Sequence, residues 1–270
     1  MIVIKILEVI NLNIDYLSTN KTSYRVCDIN FTLTKGKVIG IIGESGCGKS
    51  TIAKSLLKIL PQNTYVEGEV LLEGIDILKL NEKQMQSIRG NIISMIFQDP
   101  MQALNPIRKI KKQFDDILED YKKENGKSKT NELIERKLKE VNLKDTKKIL
   151  NSYPFELSGG MAQRVIIAMS LIENPRILIA DEPTASIDAI NRREILNEIK
   201  KLKDMSIIMI SHNLEEVYDM CDEIIVINKG IVVEQGDAKE IFNNPTHQYT
   251  KALLQSNGVE GDIYGQKLSS

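Results

Sequence analysis

The stretch Gly43–Ser50, GESGCGKS, decides how the rest of the chain is interpreted. It fits G-x-x-x-x-G-K-[ST] at every fixed position and lies between the apolar run Val38–Ile42 and a helical pattern that begins near Lys49. Glycines allow successive backbone N–H groups to turn inward around a phosphate, and a helix N-terminus adds a favourable dipole. Lys49 would reach the β- and γ-phosphates, and the Ser50 hydroxyl would ligate Mg²⁺. The stretch therefore predicts a site for a nucleoside triphosphate.

A second pattern places two carboxylates at the end of an apolar run. Ile177–Ala180 is typical of a strand buried on both faces, and Asp181 and Glu182 follow it directly. Such strands bring their C-terminal ends to the ligand edge of an open parallel sheet. We expect Asp181 to hold Mg²⁺ and Glu182 to polarise the water that attacks the γ-phosphate. Many strands end in Asp or Glu only to reach solvent, so this pattern gains its meaning from the loop upstream.

The first hundred residues alternate short β-branched runs with turn signals, which is typical of strands. The predicted strands are Ile2–Ile6, Asn11–Tyr16, Cys27–Thr34, Val38–Ile42 and Gly68–Leu72. A helix is expected over Thr51–Leu60, where apolar residues have helical spacing and Pro61 marks the end. From about Pro100 to Pro154 the chain is rich in Lys and Glu, with apolar residues at helical spacing. That pattern predicts a small amphipathic helical subdomain inserted into a strand-rich protein.

Further along, helical patterns alternate with buried-strand patterns, which implies a parallel sheet covered on both faces. The expected elements are the helices Ala162–Ile172 and Asn191–Lys203 and the strands Ile177–Ala180 and Ser206–Ile210. Ile224–Ile227 and Ile231–Glu234 flank Asn228-Lys229-Gly230 and predict a hairpin. The sequence therefore predicts the α/β class.

Composition bounds the class of protein without giving its function. The 270 residues carry 36 Lys and Arg against 37 Asp and Glu, and this net charge of −1 argues against a protein that coats nucleic acid. Cys27, Cys47 and Cys221 are odd in number and widely spaced, so they predict neither a metal cluster nor a disulfide framework, and a reducing compartment fits best. The longest apolar runs are far shorter than the ~20 residues that span a bilayer, so we expect no membrane-spanning segment.

Leu157–Gln163, LSGGMAQ, places a Ser-Gly-Gly turn at the start of a predicted helix, ahead of the acidic pair. Such a turn is a second anion-binding helix N-terminus. One nucleotide does not need two such loops from one chain, whereas two chains arranged head to tail would use each loop once per site. Taken alone, these residues would equally suit an ordinary Ser N-cap followed by flexible glycines.

With these motifs in order, roughly residues 1–255 resemble the ATP-binding subunits of ABC transporters. LSGGMAQ resembles the family's signature motif, and Gln98 resembles its Q-loop glutamine. Ala185–Asp188 resembles the D-loop, with Ile187 where Leu is usual, and His212 resembles the switch histidine. The resemblance implies an α/β fold with a P-loop, RecA-like parallel sheet core, an N-terminal antiparallel β subdomain and an inserted α-helical subdomain.

The resemblance also implies the cofactors, ATP and Mg²⁺, and the residues that hold them. Nucleotide binding is expected from Tyr16, Gly43, Ser45, Gly46, Cys47, Gly48, Lys49, Ser50, Thr51 and Asp181. Mg²⁺, bound with the nucleotide, is expected at Ser50, Gln98 and Asp181. The catalytic candidates are Glu182, His212, Gln98 and Lys49. Tyr16 is the aromatic expected to stack on adenine, and Tyr24 is the alternative.

By the same resemblance, two such domains sandwich two ATP molecules. Ser158 and Gly160 would contact the γ-phosphate held by the other subunit, and Asp188 would reach across the interface. Gln98 would sense the γ-phosphate and couple it to the helical region, which docks on a membrane permease. ATP then favours the closed dimer, and hydrolysis removes that preference.

Two further stretches resemble the dipeptide/oligopeptide/nickel importer subfamily. They are Ile96–Pro106, IFQDPMQALNP, and Asn244–Leu254, with Gln248 where Pro is common. This implies a heterodimer with a second, related ATP-binding subunit, two permease subunits and an extracytoplasmic solute-binding protein, with no nucleic-acid partner. The expected location is the cytoplasmic face of a bacterial cell membrane. The solute contacts other subunits, so peptides, nickel, cobalt and metal–chelator complexes all remain open.

Three other classes of protein share part of this pattern with an importer subunit. A soluble ABC ATPase acting on ribosomes or DNA usually carries two cassettes or a long coiled-coil insertion, and an exporter subunit differs in partner and direction. A P-loop kinase or GTPase would lack the signature loop and His212. The expected domain organisation is one ABC ATPase domain over 1–255, with a core of 1–98 and 160–255, a helical subdomain of 99–159 and a tail of 256–270.

Overall fold

The computed structural model describes residues 4–16, 25–184, 189–200 and 205–257. The strands in chain order are β1 (Lys5–Tyr16), β2 (Arg25–Thr34), β3 (Val38–Ile42), β4 (Thr64–Leu72), β5 (Ile75–Asp76), β6 (Ile93–Ile96), β7 (Ile177–Asp181), β8 (Ser206–Ile210), β9 (Glu223–Asn228) and β10 (Ile231–Asp237). The helices are α1 (Lys49–Ser55), α2 (Glu82–Ile88), α3 (Pro100–Ala103), α4 (Ile110–Ile117), α5 (Glu119–Glu140), α6 (Thr146–Asn151), α7 (Gly159–Ser170), α8 (Ala189–Lys200), α9 (Leu214–Met220), α10 (Ala238–Asn243) and α11 (Gln248–Ser256).

The chain divides into two compact units. Unit 1 comprises the described residues within Met1–Arg89, Ile179–Asp181 and Asp204–Ser270. Unit 2 comprises those within Gly90–Leu178 and Glu182–Lys203. β7 therefore begins in unit 2 and ends in unit 1, and the two acidic residues that follow its apolar run belong to different units.

Unit 1 contains two sheets. The antiparallel sheet has the strand order β2-β1-β4-β5. In the other sheet the order is β10-β9-β3-β8, followed by the unit 1 residues of β7. β3 runs parallel to both β8 and β9, and its residues Ile39, Ile41 and Ile42 are buried. A sheet with parallel central strands and a separate antiparallel sheet agree with the α/β fold that the sequence and the family resemblance implied.

The strand predictions differ from the structure mainly at their ends. β1 is one continuous strand where two shorter strands, Ile2–Ile6 and Asn11–Tyr16, were predicted. Asn11 has φ 47 and its backbone N–H donates to Asn30 Oδ1 at 2.8 Å, so a bulge carries the strand past the break in the apolar pattern. Residues 2 and 3 of the first prediction lie outside the described residues.

The helix predicted over Thr51–Leu60 is shorter than expected. α1 begins at Lys49 and ends at Ser55, and Lys58 takes a left-handed backbone with φ 51. The Lys58 ammonium donates to the carbonyls of Leu78 and Leu80, both at 2.7 Å. Tertiary hydrogen bonds therefore fix a helix end ahead of the proline on which the prediction relied.

The hairpin near the end of the chain is confirmed. β9 and β10 pair antiparallel, with Asn228 opposite Ile231. The two turn residues, Lys229 and Gly230, have φ 49 and 83, as a type I′ turn requires.

Unit 2 is built mainly of helices, as the Lys- and Glu-rich pattern between Pro100 and Pro154 predicted. Its strand β6 lies beside the start of β7, where the backbone N–H of Ile177 donates to the carbonyl of Ile92 at 2.9 Å. α7 packs against α3, α5 and β6, and α4 packs against α5 and α6. Phe114 of α4 and Leu138 of α5 are buried. α5 is interrupted at Gly126, which has φ 80 and ψ 166. None of the helices in the described ranges is long and apolar enough to cross a membrane.

Candidate nucleotide-binding site

The phosphate loop of unit 1 leaves β3 through two glycines that no other residue could replace without strain. A Cβ at Gly43 would lie 2.2 Å from the carbonyl oxygen of Ile227, so the backbone of β9 leaves no room for a side chain at this position. Gly48, the residue before α1, has φ 113. The glycines thus allow the backbone to turn tightly between strand and helix, as the motif predicted.

Lys49 is held inside this loop by the loop's own carbonyl groups. Its side chain is 6% exposed, and Nζ donates to Gly43 O at 2.9 Å and to Glu44 O at 2.8 Å. The Sγ of Cys47 lies 3.8 Å from the same nitrogen. Burial raises the pKa of the Cys47 thiol, although the Lys49 charge opposes the rise, so the thiol is protonated at neutral pH. Cys47 therefore acts as a small buried residue of the loop.

Ser50 and Asp181 meet at the start of α1. Ser50 Oγ donates to Asp181 Oδ1 at 3.1 Å, and Asp181 is 3% exposed. A hydroxyl and a carboxylate are oxygen ligands of the kind that Mg²⁺ takes in proteins, with phosphates and water completing the shell. Across the described part of the chain, no three His, Cys, Asp or Glu side chains come together as a metal site.

Tyr16, the last residue of β1, reaches the same helix. Its hydroxyl lies 3.2 Å from Thr51 Oγ1. The structure therefore places the first of the two adenine-stacking candidates beside the phosphate loop. The alternative, Tyr24, lies outside the described residues.

Unit 2 brings together two of the catalytic candidates. Gln98 follows β6, Glu182 follows β7, and Gln98 Nε2 donates to Glu182 Oε2 at 2.7 Å. Glu182 has φ 47, a backbone conformation that non-glycine residues rarely adopt. The left-handed backbone turns the chain directly after the buried strand, and the Glu182 side chain is half-buried where Asp181 is buried.

In unit 2, the signature residues stand at the start of α7, which is longer than α1. Ser158 is the N-cap of α7, and its Oγ accepts a hydrogen bond from the Met161 N–H at 3.3 Å. A Cβ added at Gly160 would meet nothing within 4 Å. Ser158 and Gly160 border an open cavity of about 430 Å³, whose other walls include Arg164 and Glu194.

Two predicted features remain, His212 and the D-loop stretch that contains Asp188. His212 is an exposed residue of unit 1, between buried Ser211, whose Oγ donates to Glu216 at 3.0 Å, and Asn213, the N-cap of α9. Asp188 and the rest of the D-loop stretch lie outside the described residues.

One contact of the phosphate loop was missed by the sequence analysis. The Glu44 N–H donates to the hydroxyl of Tyr249, in the first turn of α11, at 3.0 Å. Tyr249 belongs to the C-terminal stretch that resembles the importer subfamily, but nothing in that pattern links it to the loop. Only the fold brings these positions, 205 residues apart in sequence, into contact.

A glycine-rich loop between a buried parallel strand and a helix, with Ser50 bonded to the aspartate that ends β7, defines a P-loop nucleotide-binding protein. Residues 26–185 match the family model described as ABC transporter. Residues 233–260 match the model described as oligopeptide/dipeptide transporter, C-terminal region. The chain belongs to the ABC transporter family, as its motifs predicted, and it is an ATPase of the kind coupled to transport.

Two curated relatives are similar over most of the chain. The oligopeptide transport ATP-binding protein OppD of Bacillus subtilis is 42% identical over 262 residues, which are 94% of this chain and 72% of the relative. The metal-staphylopine import system ATP-binding protein CntD of Staphylococcus aureus is 39% identical over 234 residues, 86% of each chain. Both names describe transport ATP-binding proteins, which supports the importer reading over the ribosome, DNA and exporter alternatives.

A solved structure agrees in fold. The dimeric post-hydrolysis state of the ATP-binding cassette MJ0796, bound to ADP and Pi, has a TM-score of 0.75 and 25% sequence identity. The match covers 86% of this chain and 98% of that one. The predicted fold class, an ABC ATPase cassette, is therefore confirmed.

Proposed function

We propose that this chain binds Mg-ATP through Gly43–Ser50 in unit 1 and hydrolyses it to energise import of a solute through a separate membrane permease. The observation that carries the proposal is the 3.1 Å hydrogen bond between Ser50 Oγ and Asp181 Oδ1, at the loop that holds the buried Lys49. The loop supplies Lys49 as a cation for phosphate and Ser50 as an oxygen ligand for Mg²⁺, and Asp181 at the end of β7 supplies a second oxygen ligand.

When bound, Mg²⁺ would neutralise part of the charge of the nucleotide phosphates. Ser50 and Asp181 fit it as oxygen ligands, and the family resemblance adds Gln98. Lys49 has three N–H donors, and two of them are fixed on loop carbonyls. That arrangement holds the ammonium at the loop Gly43–Thr51, where the nucleotide phosphates are expected to bind.

Glu182 is the proposed general base for hydrolysis. Its carboxylate would take a proton from the water whose oxygen bonds to the γ-phosphorus, while the bond from that phosphorus to the bridging oxygen breaks. The hydrogen bond from the Gln98 amide fixes the position of this carboxylate. His212, as the family resemblance implies, would contact the γ-phosphate.

A second ATP-binding subunit is proposed to complete each site. Ser158 Oγ caps α7, and the side of Gly160 where a Cβ would stand is open, so an approaching phosphate meets no side chain there. α7 is 12 residues long, and its N-terminal N–H groups favour an anion. We propose that the partner is a related but different chain, and that Asp188 reaches across the interface.

The proposed permease contact lies on the helical part of unit 2. Large apolar side chains are exposed there: Ile107 is 82% exposed, Phe155 68% and Met101 40%. Phe155 stacks on Tyr153 with ring centroids 5.5 Å apart, which stiffens that edge. Exposed apolar groups of this size are typical of protein contact surfaces. The assembly would hold this subunit at the cytoplasmic face of the membrane, with two permease subunits and an extracytoplasmic solute-binding protein.

The solute is proposed to be a peptide or a metal–chelator complex. The peptide class is supported by the match of residues 233–260 to the oligopeptide/dipeptide model and by the likeness to OppD. The metal class is supported by the likeness to CntD, whose name states metal-staphylopine import.

Uptake measurements separate the two classes and test the ATP site. In cells that lack the natural chain, we expect the wild-type chain to restore uptake of a labelled tripeptide, or of nickel or cobalt supplied with a chelator. Lys49→Ala should abolish uptake and weaken ATP binding at least about tenfold, because the charge-assisted bonds to phosphate are lost.

Lys54→Ala, a lysine of the same helix outside the loop, is the matched control and should keep both properties. Uptake by Lys49→Ala at the wild-type rate would refute the proposed ATP site. If the wild-type chain restored uptake of neither solute class, the importer proposal would be refuted.

A further inference from the structure

The C-terminal helix α11 makes a direct contact with the phosphate loop. The hydroxyl oxygen of Tyr249 accepts a hydrogen bond from the Glu44 N–H at 3.0 Å. Tyr249 stands in the first turn of α11, and its own N–H donates to Nδ1 of the N-cap residue His247 at 3.1 Å. The contact is therefore made by the end of the helix that is fixed by a cap.

The cap itself is fixed to the sheet of unit 1. Glu234 of β10 accepts hydrogen bonds from the Thr246 N–H and the Thr246 hydroxyl, both at 2.7 Å, and from the His247 N–H at 3.1 Å. Burial alone would raise the pKa of Glu234, but the nearby Thr250 hydroxyl and the hydrogen bonds from Thr246 and His247 lower it overall. Glu234 is thus ionised at neutral pH and ties the start of α11 to β10.

The peptide group between Gly43 and Glu44 is held on both sides. Its N–H donates to Tyr249, and its carbonyl, that of Gly43, accepts from Lys49 Nζ at 2.9 Å. A trans peptide is planar, so its N–H and its C=O point in opposite directions and turn together. A hydrogen bond on the N–H side also polarises the group and strengthens the bond on the carbonyl side.

Tyr249 is suited to accept this hydrogen bond over a wide pH range. Burial raises the pKa of Tyr249, against the lowering effect of the Glu44 N–H, and the Glu44 carboxylate adds to the rise. The phenol therefore remains neutral at physiological pH.

We propose that Tyr249 is a positioning residue for ATP binding: by fixing the Gly43–Glu44 peptide, it holds the carbonyl that aims the Lys49 ammonium at the nucleotide phosphates. The inference rests on the proposed function, because it requires that Gly43–Ser50 bind ATP. Through it, the C-terminal helix sets the nucleotide affinity of the loop without touching the nucleotide.

The test compares Tyr249→Phe with the wild type in the assembled importer, by steady-state ATP hydrolysis and by direct ATP binding to the full chain. Tyr249→Phe removes one oxygen atom. We expect the KM for ATP to rise about three- to tenfold, the effect of one lost hydrogen bond, with kcat within about twofold of the wild type. A purely structural role would lower the melting temperature and leave the KM of the folded fraction unchanged.

Tyr65→Phe is the matched control, because Tyr65 is exposed and its hydroxyl bonds Glu67 within β4. The KM of the Tyr65→Phe variant for ATP should equal the wild-type value. Thr246→Val, which removes one bond to Glu234, should raise the KM in the same direction as Tyr249→Phe. A KM unchanged in both Tyr249→Phe and Thr246→Val would overturn the inference, as would equal losses in kcat and kcat/KM. If the wild type and all variants failed to bind ATP, the proposed function would be overturned, and the inference with it.

Discussion

Glu182 combines an unusual backbone with a charged contact. Non-glycine residues at φ 47 cost about 1–3 kcal/mol of local strain and persist where the surrounding structure fixes them. The fixing elements here are the buried strand β7 before it and the amide of Gln98 beside its carboxylate. This strained turn separates Asp181, which faces Ser50, from Glu182, which faces Gln98.

Replacing Glu182 with Gln should separate binding from hydrolysis. Gln keeps the shape of the side chain and an acceptor for Gln98, but it cannot take a proton. We expect ATP binding within about twofold of the wild type and hydrolysis lower by about 10²–10⁴-fold. Isothermal titration and phosphate release measure the two quantities.

Glu124→Gln, an exposed position on α5, serves as the matched control and should hydrolyse ATP normally. Mixed with the second ATP-binding subunit and ATP in the absence of the permease, Glu182→Gln should also accumulate as a closed dimer on size-exclusion chromatography. Near-normal hydrolysis by Glu182→Gln would remove Glu182 from the role of base.

Among the elements, α7 and α8 are joined by one buried guanidinium. Arg164 of α7 donates to Glu194 of α8 at 2.8 Å, to Glu198 of α8 at 3.4 Å and to the carbonyl of Val141 at 3.0 Å. The Arg164 side chain is 7% exposed and that of Glu198 11%. The helix that begins with the signature turn is thus held to the helix that follows the D-loop stretch.

Arg164→Met should destabilise the fold, because it leaves the Glu198 carboxylate without the guanidinium that neutralises it. We expect the free energy of unfolding to fall by about 3–5 kcal/mol, as for other broken buried pairs. Urea denaturation followed by circular dichroism measures the loss.

Arg136→Met is a control of the same chemistry on a surface pair. Arg136 lies 3.7 Å from Glu140 on α5, with side chains 65% and 51% exposed, so its loss should cost at most about 1 kcal/mol. Equal destabilisation by the two substitutions would contradict the assignment of a buried link to Arg164.

The elements that could be predicted from sequence are those whose signal is local. β3 and β8 were predicted with the bounds they have, because their apolar runs end where buried strands end. The end of α1 could not be predicted, since Lys58 is drawn into a left-handed conformation by carbonyls of a distant turn. β1 was predicted in two pieces, since a bulge is invisible to a pattern of alternating residues.

At the scale of the whole molecule, the signature turn is the proposed point at which one chain completes the site of another. Ser158→Arg should leave ATP binding by the isolated chain within about twofold of the wild type. In the assembled complex it should lower hydrolysis at least about 100-fold, because the new side chain occupies the approach of the partner's γ-phosphate. Both rates can be measured by phosphate release.

Ser128→Arg, on the exposed face of α5, introduces the same side chain away from the signature and should be harmless. Unchanged hydrolysis by Ser158→Arg in the complex would contradict the shared site.

The candidate site shows the same division between local and tertiary signals. The loop, Asp181, Glu182, Gln98 and His212 all lie in short motifs, so the sequence alone could propose them as site residues. Tyr249 could not be found in this way, because its role depends on a contact that only the folded unit 1 creates.

The interruption of α5 at Gly126 has a mechanical consequence. A straight helix of 22 residues would be about 33 Å long and could transmit a displacement from one end to the other. Because of the break at Gly126, α5 consists of two shorter helical segments, and a displacement of one segment need not move the other. Force applied to one end of α5 would therefore reach α7 through packed side chains, such as those around Ile134 and Leu138, and not along the helix axis.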